Sequence, residues 1–152
     1  MMPDFTRDEI LLRACKALVY NFANQVEEGR DVVHTRIFNY FLHPEDRYVY
    51  YGASASVTGK TKNHPENAVP CAVLIDECFR LLKDGDLSHD QVARLLKKHW
   101  KIVKITKEES RKLDFELGYK SKMPEGWSFE EGDTFERFKL GKIELIPETS
   151  SL

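Results

Sequence analysis

The segment Ala72–Leu82, AVLIDECFRLL, limits what this chain can fold into more than any other stretch. Leu74, Ile75, Cys78, Phe79, Leu81 and Leu82 recur at helical spacing and make more than half of the helix surface apolar. A helix of that kind must be enclosed by other elements. Pro70, just before it, suits a helix N-terminal turn. Lys83-Asp84-Gly85-Asp86 closes it. Immediately upstream lies a polar, ionisable run, Lys60, Lys62, His64, Glu66 and Asn67. Polar groups beside a rigid anchor are how a site is held in place.

The rest of the chain supplies the enclosure. Thr6-Arg7-Asp8-Glu9 is a capping box, followed by Ile10, Leu11, Ala14, Leu18, Val19, Phe22 and Val26. This predicts a long amphipathic helix over about 7–28, closed by Gly29. Asp31 is read as the cap of a second helix through Val33, Ile37, Tyr40 and Phe41, stopped before Pro44. Arg47–Ser56, rich in Tyr and Val, reads as a strand, and the residues after it as a turn or open loop. Ser88-His89-Asp90-Gln91 opens another helix, ending near His99 and Trp100. A histidine there would face the negative end of the helix dipole. Lys101–Thr106 is a strand, Thr106-Lys107-Glu108-Glu109 caps a short helix to about Leu113, and Met123–Trp127 is a loop whose large side chains plug the core. Glu136–Phe138 reads as a helical turn, Lys142–Ile146 as a last strand and 147–152 as a frayed tail. With no repeat and no linker, residues 1–152 form one α+β domain, helix-rich, with a small, mostly antiparallel sheet.

Composition excludes several classes. Of the 152 residues, 41% are hydrophobic and 32% charged, which argues against wholesale disorder. The formal net charge of -2 means that a nucleic-acid role requires a local basic patch. Cys15, Cys71 and Cys78 are odd in number, lack a C-x-x-C and lie in apolar segments, the pattern of buried free thiols in a reducing compartment. No apolar run reaches membrane-span length. The acidic start MMPDFTRDE lacks the basic region of a signal peptide, so a cytoplasmic location is expected. Gly59-Lys60-Thr61 matches the end of a phosphate-binding loop. The glycine needed five positions earlier is Ser54, however, and Pro65 follows too closely for a helix.

Glu66-Asn67-Ala68-Val69-Pro70 resembles the first motif of the HNH, or ββα-metal, nucleases, in which an acidic residue, a histidine, two aliphatic residues and a proline end a strand. The resemblance implies a divalent metal (Mg or Zn) bound by Glu66, with nucleic acid as substrate. Such chemistry needs a base to activate water and a cation to neutralise the phosphate. The base position holds Asn67, which cannot take a proton near neutral pH. Either the site is inactive, or His64 serves instead. His89 is the candidate second metal ligand, although the asparagine that the family places before its metal-binding histidine is missing. Lys60 and Lys62, with the cluster Lys97, Lys98, Lys101 and Lys104, are the residues that would track a phosphate backbone; the bland alternative is a solvated face. A different class fits as well. The incomplete constellation, the high charge and the aromatic loop at Trp127 are those of a non-catalytic regulatory or inhibitory domain that binds a protein partner. Oligomeric state is not legible.

Overall fold

Thr6 accepts from the Glu9 amide, and the Glu9 carboxylate accepts from the Thr6 amide, so the expected capping box starts α1, Arg7–Glu27. Its stripe of Leu11, Ala14, Cys15, Leu18, Val19, Phe22 and Ala23 is buried. The chain leaves the helix at Gly29, whose φ is +71°. The computed structural model describes residues 4–149. Within them follow α2 (Ile37–Phe41), α3 (Asp46–Val49), β1 (Tyr50–Ser54), β2 (Asn63–Asn67), α4 (Cys71–Asp84), α5 (His89–His99), β3 (Ile102–Thr106) and α6 (Lys107–Arg111). A single π-helical turn, Lys112–Glu116, continues α6, and α7 (Glu136–Leu140) and β4 (Leu145–Pro147) complete the fold.

The strands form one sheet in the order β2-β3-β1-β4. β1 runs parallel to β3, while β2–β3 and β1–β4 are antiparallel. The α+β class and the mostly antiparallel sheet are as expected. Alternate residues of β3 serve two cores. Ile102 packs against the larger cluster built on α1, α4 and α5, whereas Val103 and Ile105 belong to a smaller one with Leu113, Phe138 and Ile143. The central helix is enclosed as its composition requires, with Leu74, Ile75, Cys78, Phe79 and Leu81 buried. Phe22 of α1 meets Phe79 with ring centroids 5.1 Å apart. The three cysteines are free, with Cys15 and Cys78 buried and Cys71 half-buried. Among the described residues, no helix is long and apolar enough to cross a membrane.

Four local expectations are corrected. Residues 31–36 are not helical, so the second helix is only the five residues of α2. The start of the expected first strand is instead the turn of helix α3. The polar run read as a loop contains β2, in spite of Pro65. That strand lies at the sheet edge, where a residue without an N–H is tolerated on the solvent side. The last strand is shifted to Leu145–Pro147, and the Glu148 amide donates to the Tyr51 carbonyl, so the ordered pairing extends into the expected tail. Residues 150–152 of that tail lie outside the described residues.

Candidate functional site

In β2, Glu66 pairs with Val103 and His64 with Ile105, so both side chains share the face of the smaller core. His64 lies near the strand's open end, and Glu66 is held deeper, with a side chain only 11% exposed. The residue that meets Glu66 is Arg137 of α7, whose side chain is fully buried. Its Nη2 donates to Glu66 Oε2 at 3.1 Å and to the Asn67 carbonyl. Nε donates to the Ala68 carbonyl at 3.2 Å, and Nη1 to the Tyr119 carbonyl at 2.7 Å. One guanidinium thus binds four oxygens and ties β2, α7 and the segment after the π turn together. Burial pushes the Glu66 carboxyl up, and the Arg137 guanidinium beside it opposes that shift. Burial pushes Arg137 down, and Glu66 opposes it in turn. Arginine keeps its proton in proteins, and its planar fork suits a carboxylate, so the pair is ionic.

The second oxygen of Glu66 lies 3.3 Å from His64 Nε2. Asn67, the last residue of β2, has its carbonyl engaged by Arg137, while its side-chain Oδ1 is buried with no hydrogen-bond partner among the described residues. Glu66 and Asn67 line a cleft of about 520 Å³ at the start of α4, together with Asn39, Glu45, Cys71 and Lys120. Asn39 Oδ1 accepts from the Glu45 amide at 3.3 Å, and Glu45 accepts from Trp100 Nε1 at 2.6 Å. Burial raises the Glu45 carboxyl. Burial, with the Glu45 charge adding to it, pushes the Cys71 thiol up to about 12. Cys71 therefore stays a thiol at neutral pH and is a poor nucleophile. The cleft offers hydrogen-bonding groups for a polar ligand and, in Asn67 and Cys71, neither a base nor an activated nucleophile.

His89 is exposed at the first turn of α5. The last turn of that helix adjoins β2, where the Ala68 amide donates to the Lys101 carbonyl. His89 is ten residues up the helix from His99, about 15 Å at 1.5 Å per residue. The structure does not bring it to Glu66. Among the described residues, no three His, Cys, Asp or Glu side chains gather as a cation site would need.

The six candidate lysines do not make one patch: they divide among the β1–β2 loop, the side of α5 and β3 that faces α1, and another side of α5. Lys60 and Lys62 are exposed in the loop between β1 and β2. Lys97 pairs with Asp8 of α1 at 2.7 Å, and Lys101 Nζ donates to the Lys97 carbonyl at 2.8 Å. Lys104 lies over the Tyr50 ring at 5.6 Å. Lys98 is exposed on another side of α5, its carbonyl accepting from Thr134.

His99 does not sit as a charged group at the end of α5. It is fully buried between Trp127 and Phe129, with Nε2 2.7 Å from the Phe129 carbonyl and Nδ1 2.9 Å from Thr134 Oγ1. Burial lowers it to about 4, so the ring is neutral at pH 7. Sequence reasoning missed Arg137. Its one visible signal is position: it lies between Phe135 and Phe138, on a turn whose aromatics had to face inward. No family model, no curated protein and no solved structure matches this chain.

Proposed function

We propose that this chain is a non-catalytic, protein-binding regulatory domain. The observation that carries this reading is the occupation of Glu66 by Arg137. The guanidinium takes the inner carboxylate oxygen and three neighbouring carbonyls, the oxygens that a hard divalent cation would otherwise recruit. A metal that took Oε2 of Glu66 would have to displace the buried guanidinium from its carboxylate, at a cost of several kcal/mol. Asn67 supplies no base, His64 faces the Glu66 carboxylate, and among the described residues no third such side chain joins them as a cation site would need. Glu45 and Glu66, the carboxyls that line the cleft, are already engaged by Trp100 and Arg137, so what the cleft offers a ligand is hydrogen bonding.

The nuclease reading drawn from Glu66–Pro70 is the competing proposal, and cation binding separates the two. Calorimetric titration of Mg²⁺, Mn²⁺ and Zn²⁺ into the wild-type protein and Glu66→Gln should give no saturable heat that depends on Glu66. Saturable binding lost in Glu66→Gln would favour a metal site and overturn the reading.

A further inference from the structure

The sheet is open, and among the described residues β2 and β4 are its edges. An edge strand presents a row of backbone donors and acceptors with which another chain can pair. In antiparallel pairing, alternate residues turn these groups towards the neighbouring strand and away from it. The Ala68 amide donates to the Lys101 carbonyl at 2.8 Å. At the same two-residue spacing Glu66 and His64 bond β3, and Asn63, Pro65 and Asn67 face outward. On the other side of the sheet, the Ala55 amide donates to the Glu144 carbonyl at 2.9 Å and the Glu148 amide to the Tyr51 carbonyl at 2.8 Å. Ile146 therefore bonds β1, and Leu145 and Pro147 face outward. Each edge thus has a proline at an outward-facing position, where the missing N–H is one that an added strand would need. Both prolines are exposed, so burial accounts for neither.

The loss can be followed bond by bond. Two copies joined through β4 about a two-fold axis at Ile146 would set Leu145 of one against position 147 of the other. Each Leu145 amide could donate to a Pro147 carbonyl, but the return bonds from position 147 to Leu145 are absent, which is half of the set. About a two-fold axis at Pro65, the central pair loses both of its bonds. The Asn67 carbonyls, which would accept from Asn63, are already held by the Arg137 guanidinium. Only the bonds from the Asn67 amides to the Asn63 carbonyls are left. The side chain of Ile146, 54% exposed, would otherwise favour such pairing, because apolar edges are the ones that associate. We propose that Pro65 and Pro147, with Arg137, close both edges of the sheet to strand addition. The chain then neither pairs with a second copy through its sheet nor takes up an extended partner segment there, and a protein partner is met by side chains. This goes beyond the function proposed above and does not depend on it.

The test is sedimentation velocity of the full chain at micromolar to millimolar concentrations, the range in which unprotected edges associate, with hydrogen exchange on the same samples. Wild type should keep the monomer mass, with the Leu145 and Asn67 amides unprotected. Pro147→Val restores the missing donor on β4. Its mass should move towards twice that of the monomer as concentration rises, with exchange at Leu145 slowing in step. Pro65→Val should do the same through β2, with the Asn67 amide as its reporter. Glu27→Val adds an exposed apolar side chain at the end of α1, away from the sheet, and should remain a monomer. The proposal is overturned if either proline variant sediments as wild type does across the whole range, or if Glu27→Val associates as they do. It is also overturned if wild type itself dimerises with the Leu145 or Asn67 amide protected. No outcome involves a metal or strand cleavage, so failure here is distinct from failure of the non-catalytic reading.

Discussion

Arg137 sets the character of the Glu66 site. Replacing it with Met keeps most of the volume but leaves Glu66 buried without its partner, along with three carbonyls. Breaking one side of a buried pair in this way costs about 3–5 kcal/mol. Urea unfolding of Arg137→Met should show a loss of that size, and Arg137→Met/Glu66→Gln should recover part of it by removing the stranded charge. An unchanged midpoint in the single variant would mean that the pair is not closed in solution. His99 makes a second prediction, on pH. Its folded value lies below the ordinary 6.5, at about 4, so the unfolded chain binds more protons between these values. The burial of the neutral ring therefore contributes fully above about 6.5 and is lost as pH falls towards 4, a contribution of about 3 kcal/mol. Stability measured across that window should fall with acid, and His99→Gln should flatten the slope. These two residues were the least legible. An arginine and a histidine inside a core violate the rule by which sequence is read, and only the partners that satisfy them, Glu66 for one and Thr134 and Phe129 for the other, explain their burial.

At the scale of elements, local chemistry was easier to read. The capping boxes at Thr6, Ser88 and Thr106 each formed as their spacing predicts, because the whole device lies within four residues. Ser88→Ala removes the acceptor for the Gln91 amide and should cost about 1 kcal/mol, seen as a lower thermal midpoint. β2 was hidden for the opposite reason. Asn63-His64-Pro65-Glu66-Asn67 has poor strand propensity, and its pairing with β3 depends on residues nearly forty positions away. The π turn after α6 likewise has no sequence mark. Gly52 of β1 shows how closely β4 is laid on the sheet, since a Cβ there would run into the Ile146 carbonyl. Gly52→Ala should displace β4, exposing the Ala55 and Glu148 amides to hydrogen exchange while leaving the amides of α1 protected.

Across the whole molecule, the enclosing architecture followed from one over-apolar helix and the patterns around it, so the α+β class and the central place of α4 were legible. The site was legible only as a place. Of the polar run before Pro70, Glu66 and Asn67 line a cleft beside α4, but the residue that decides its chemistry comes from α7, 70 positions after Asn67. Chain separation of that order leaves no local pattern. On the function proposed above, restoring the missing base would not make this cleft a metal-dependent reaction centre. The most direct test is plasmid cleavage by Asn67→His with Mg²⁺ or Zn²⁺, with Glu66→Gln/Asn67→His as control. No cleavage by either protein is expected, because Arg137 holds Oε2 of Glu66. Cleavage by Asn67→His that disappears with Glu66→Gln would contradict it and assign the cleft to a nuclease that lacks only its base.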